Sequence, residues 1–111
     1  MAAALTVGGR LDAEAATSYE SAVDCAGALT MVADRLVAVV SEADAQQVTF
    51  ARRAADIYLN RAVAAGDDAL DKRAVTAEMN RRIKEKQSQI GSQSQLAIAC
   101  LRALQRSAQA S

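Results

Sequence analysis

No proline interrupts the 111 residues, and Ala, Leu, Gln, Arg and Glu recur along nearly all of them. Proline lacks the amide that a helix interior needs and stops helices more reliably than any other residue, while those five are strong helix formers. Beta-branched and aromatic residues never gather into alternating runs, so no strand pattern competes with the helical one. The fold class that follows is all-α. At this length the chain makes one small domain and is too short for two.

Glycines and acidic residues set where the helices should stop. Gly8 and Gly9 mark residues 1–11 as a flexible N-terminal arm. From Asp12 the pattern is helical, with Asp12 or Thr17 as N-cap and Glu14 and Glu20 placed early, where the helix dipole favours acids. Gly27 costs about 1 kcal/mol against alanine inside a helix, so the first helix is expected to break or bend there. Gly66 suits the position after a helix ending near Ala65, and Asp67 or Asp68 suits the cap of the next, with Asp71 in its first turn. These signals predict a long antiparallel helical hairpin over 12–111, with helix 12–65, turn 66–68 and helix 69–108.

Apolar residues recur at steps of three, four or seven along both arms: Leu29, Val32, Leu36, Phe50, Ala54 and Ile57 in the first, Val75, Met79, Ile83, Ile90, Ala97 and Leu104 in the second. Gln46, Gln47 and Arg53 fall on or beside the first stripe, which keeps it partly wet. Much of the apolar content is alanine, and the aromatic residues are Tyr19, Phe50 and Tyr58 alone. Alanine removes little apolar area from water, so a monomer of this inventory would have a thin core. Burial against other chains is the expectation. The packing residues predicted for an assembly interface are Leu29, Leu36, Phe50, Ile57, Met79, Ile83, Ile90 and Leu104.

The neutral total charge hides a polarised chain. Residues 1–71 carry five basic and eleven acidic side chains, a net of −6, and residues 72–111 carry eight basic and two acidic, a net of +6. Within a hairpin the two arms attract, and between subunits acidic-to-basic contacts are favoured over like-to-like ones. Arg81, Arg82, Lys84 and Lys86 are the expected charged contacts of the basic arm. The same cluster, with Lys72 and Arg73, could hold phosphates. Against nucleic acid stand the zero net charge, a pI near 6.2 and an arm without aromatic side chains to stack on bases. No helix-turn-helix spacing is present either.

Chemistry is sparse. There is no histidine, the commonest general base at neutral pH and the commonest metal ligand. Asp67, Asp68 and Asp71 lack the spacing of a calcium loop, and Gly8-Gly9-Arg10 lacks the context of a phosphate loop. Cys25 and Cys100 lie among small apolar residues and read as small free hydrophobes, with a single bridge or a reactive thiol as the alternatives. Neither neighbours an activating group, so no enzyme, cofactor or metal is expected. The stretch MAAALTVGGRLDAEAA has no basic n-region and no long apolar run, and no segment approaches the ~20 apolar residues of a membrane span. A chain made in the cytoplasm is expected, one that a machine independent of such signals could still export.

One stretch remains, EMNRRIKEKQSQIGSQSQ, in which a basic cluster passes into an uncharged Gln/Ser tract. Amides and hydroxyls there can bond in several registers, and Gly91 would let another backbone approach. From Ala77 to Gln95, with Met79, Ile83, Glu85, Gln87, Gln93 and Ser94 in order, the chain resembles the C-terminal arm of needle-forming subunits of type III secretion systems. That resemblance implies an exported protein that polymerises helically around a conduit, held monomeric beforehand by a small chaperone. The function expected is a non-enzymatic, self-assembling helical subunit. A small helical adaptor or chaperone dimer that binds a helical client is the alternative, and a nucleic-acid-binding helical protein the weaker one.

Overall fold

A computed structural model of the chain describes residues 18–39, 45–66 and 71–110. They form four α-helices, α1 (Tyr19–Val39), α2 (Ala45–Ala65), α3 (Lys72–Glu85) and α4 (Ile90–Ala110), with one 3₁₀ turn, Gln87–Gln89, between the last two. No strand occurs among the described residues, so the fold is all-α. The predicted arm over 1–11 and the caps at Asp12, Thr17, Asp67 and Asp68 lie outside them.

The two predicted long helices are each divided. Gly27 does not break the first: it sits buried in the middle of α1, whose helix runs unbroken to Val39. A Cβ on Gly27 would lie 3.6 Å from both Met79 and Ile83, so the glycine marks where α3 packs across α1. The physical reason is that one glycine costs a helix only about 1 kcal/mol, which a well-packed face offsets. Gly91, predicted to admit a second backbone, has nothing within 4 Å of its would-be Cβ.

The second arm changes direction at Lys86, whose φ of −111° and ψ of 15° leave the helical region. Its N–H donates to the carbonyls of Arg82 and Ile83, closing α3, and Gln89 N–H donates to Lys86, winding the 3₁₀ turn that leads into α4. At the other end of α3 the cap is Asp71, whose side chain accepts from Ala74 N–H at 2.8 Å. Ser18 does the same for α1, accepting from Ser21 N–H at 3.3 Å.

Helix α1 is the centre. It packs most extensively on α2 and also carries contacts to α3 and α4. The α1–α2 pair is antiparallel: Asp34, late in α1, meets Arg52, early in α2, while Cys25 and Tyr58 both reach Cys100 of α4. The core between them is small-residue packing, with Ala22, Ala26, Ala28, Ala54, Ala55 and Ala62 around the fully buried Val23, Leu29, Tyr58 and Val75. Small side chains let helix backbones approach closely, so a core with a single large ring, that of Tyr58, can still exclude water.

The two cysteines are bonded to each other, which corrects the reading of free thiols. Seventy-five positions apart in sequence, Cys25 and Cys100 are brought to a Cα separation of 5.8 Å by the packing of α1 on α4. Beside them, the Tyr58 hydroxyl donates to the Cys100 carbonyl at 2.7 Å and satisfies itself in an apolar interior.

A closed loop of this length removes about 4 kcal/mol of chain entropy from the unfolded state. Urea unfolding of Cys25→Ala/Cys100→Ala should show a loss of that order. A loss below about 1 kcal/mol would mean the bridge does not form. Gly27→Ala should raise stability by about 1 kcal/mol, since the added methyl meets only ordinary contacts in a helical backbone. A destabilised variant would show that α1 and α3 lie closer than described.

Candidate functional site

On α2 the residues facing α1 are Ala51, Ala54, Ala55, Tyr58, Leu59 and Ala62. Rotated from that face, Phe50 and Ile57 stay 52% and 42% exposed, although they are among the largest apolar side chains of the molecule. They stand one above the other, seven residues apart, across from Leu104 and Ala108 of α4. Between the two helices lies an open groove of about 490 Å³ with Ala54 in its floor, and Arg53 and Arg61 line it beside the apolar stripe. Both helices pack on α1, and they are also joined directly where the Tyr58 hydroxyl donates to the Cys100 carbonyl.

Three of the eight predicted packing residues, Phe50, Ile57 and Leu104, are thus brought together. Leu29 and Met79 belong to the chain's own core, and Ile83 packs against it beside Gly27. Leu36 and Ile90 are half-buried. The stripe read through Leu29 to Ile57 presumed one continuous helix; ending α1 at Val39 and beginning α2 at Ala45 folds the second part back, so the same residues lie on different faces. Sequence reasoning missed Tyr58, whose ring fills the centre, because it stands off the stripe.

The charged arm contacts are made within the chain. Arg82, only 14% exposed in its side chain, donates to Glu20, Asp24 and Glu78 at 2.7, 3.0 and 2.7 Å. Arg81 binds Glu78 and Glu85, and Lys86 lies 3.6 Å from Asp24. Lys84 has no ion pair among the described residues. Burial works against the Arg82 charge, but hydrogen bonds to Glu78, Glu20 and Asp24 outweigh it and raise the arginine further above its ordinary value. The two guanidiniums on Glu78 pull that carboxyl down to about 2. A basic cluster so neutralised offers little net charge to a phosphate backbone.

Other polar features are few. Burial raises the Tyr58 phenol, an effect opposed by the charges of Arg61 and Arg106. Among the described residues there is no group of three His, Cys, Asp or Glu side chains that could hold a metal ion, and no helix long and apolar enough to cross a membrane.

The chain matches no family model, and no curated protein or solved structure matches it either.

Because Glu78 titrates near 2 in the folded chain against an ordinary 4.5, the stability it contributes is complete above pH 4.5 and falls away as pH drops from there toward 2. Comparing thermal melts of the wild type and Glu78→Gln from pH 2 to 6 isolates this contribution. The difference between them should shrink steadily below pH 4.5; a pH-independent difference would mean the Arg81 and Arg82 contacts are not maintained in solution.

Proposed function

We propose that the chain works without catalysis, as a helical adaptor that docks a helix of another protein in the groove between α2 and α4. The observation that carries this is the placement of Phe50 and Ile57, half-exposed and facing Leu104 across an unfilled apolar space. Amphipathic helices bind in this way, laying an apolar face into a groove between two others. A core too thin to stand alone was the ground for expecting assembly. Tyr58, Leu29, Val23 and Val75 are fully buried within the chain, and a disulfide joins two of its helices, so the groove need not be filled for the domain to fold. That shifts the weight from obligate assembly to docking.

A self-assembling subunit of a needle or filament is the second reading. It is favoured by Val37 and Ile98, 59% and 50% exposed on α1 and α4, neither of which lines the groove. Open-ended growth needs two different faces on each copy, and these would supply a further one. Export belongs to both readings, and the Cys25–Cys100 bridge supports it, because such bridges persist in oxidising compartments.

Mass measured by light scattering after size exclusion, over a wide concentration range and at low and high salt, separates the two. The adaptor reading expects a fixed mass that Phe50→Asp leaves unchanged, with stability altered by no more than about 0.5 kcal/mol at so exposed a site. Growth that Phe50→Asp abolishes would transfer the groove to self-assembly. Growth that the substitution leaves intact would place assembly on another face.

A further inference from the structure

We infer that the groove between α2 and α4 is selective for an apolar helix flanked by carboxylates. The inference rests on the docking reading above and adds the chemistry of the occupant. Apolar surface comes from Phe50, Ala54, Ile57 and Leu104, and among the described residues the charged ones lining the groove are Arg53 and Arg61.

The charge of these two arginines is not cancelled within the described residues. Several basic side chains have acidic partners, Arg52 with Asp34, Lys72 with Asp56, and Arg82 with Glu20, Asp24 and Glu78; the two groove arginines, like Lys84, have none among the described residues. Arg53 makes no ion pair with a described carboxylate. Arg61 lies over the Tyr58 ring, its guanidinium carbon 5.4 Å from the centroid, and is likewise without a described carboxylate. Stacking on a ring that is itself locked in the core holds the Arg61 head at the groove instead of leaving it to roam.

A helix entering this groove would bury its apolar stripe against Phe50, Ile57 and Leu104 and bring its flanks beside the arginines. Lysines on those flanks would be repelled while water was being expelled, and carboxylates would gain charge-assisted bonds. The spacing is also defined. Arg53 and Arg61 stand eight residues apart on α2, about 12 Å along its axis, so a helix lying along α2 meets them best with acids seven or eight positions apart. Phe50 is the one aromatic side chain in the described lining, whose other apolar residues are Ala54, Ile57, Leu104 and Ala108 beside the polar Gln105 and Ser107; this suits leucine and alanine side chains better than a series of stacked bases.

The test uses the full chain and three labelled peptides of 20 residues that share one Leu/Ala stripe and carry glutamate, glutamine or lysine at two flanking positions seven apart. Fluorescence anisotropy should show saturable binding in the order glutamate, glutamine, lysine, with at least about tenfold between first and last at low salt. High salt should compress the range. Arg53→Gln should flatten it without removing binding, and Phe50→Asp should remove binding of all three. Equal affinities for the three would overturn the inference and leave the docking reading standing, whereas no saturable binding of any would sink the docking reading itself. Displacement of the glutamate peptide by a single-stranded oligonucleotide at similar concentration would overturn the inference in favour of nucleic acid. Affinity that falls as the protein is concentrated would assign the groove to a second copy.

Discussion

At Cys100 three helices meet. Its sulfur is bonded to Cys25 of α1, and its carbonyl accepts the Tyr58 hydroxyl of α2, so one residue of α4 fixes both neighbours. The two restraints differ in kind. The disulfide limits the unfolded chain, while the hydrogen bond is satisfied in an interior where leaving the phenol unpaired would cost about 1–3 kcal/mol. What lies next to this node inherits its geometry. Ile57 immediately precedes Tyr58, and Leu104 is one turn beyond Cys100, so the walls of the groove are placed by residues buried in the chain's own core.

The far side of α1 is held by a different force. Arg82 reaches across from α3 to Glu20 and Asp24, and Glu78 steadies it from one turn back. A guanidinium with three carboxylates around it is stable where a lone buried charge would not be, and its fork fits more than one of them at a time. Gly27 lies one turn further along α1, where a Cβ would meet Met79 and Ile83 of α3 at 3.6 Å. Attraction between acidic and basic arms, which the sequence suggests as a tendency, is therefore concentrated largely in one side chain.

Helix content, the fold class and the polarity of the arms could be read from residue types because each is a local or summed property. Glu78 and Arg82 are four apart on one helix and legible as a pair; Glu20 and Asp24 are not, since only the crossing of α1 and α3 brings them near. The two long helices of the expected hairpin appear as four for a related reason. A helix pattern carried through 40–44 aligns Leu29 with Phe50 and Ile57, and the division of the arm into α1 and α2 puts them on different surfaces. The disulfide is a tertiary fact of the same type. Two cysteines seventy-five positions apart, each among alanines and other small residues, look like filler until the helices that carry them are packed.

The distribution of size between inside and outside carries the functional argument. In α2 the buried face has four alanines with Tyr58 and Leu59, while Phe50 and Ile57 remain partly in water. A chain selected only for monomer stability would gain by turning the larger side chains inward, because each exposed ring or branched chain forgoes part of the ~25 cal/mol per Å² that burial supplies. Alanine at the α1 interface allows close approach and needs little room, so the domain closes without them. On the docking reading the larger residues serve a second contact, and Arg53 and Arg61 beside them, without a carboxylate partner among the described residues, give that contact a sign. Apolar surface alone would accept any hydrophobic helix. On the same reading, two positive charges would let that surface discriminate, since a helix of the wrong charge must lose water from its lysines and find arginines opposite them.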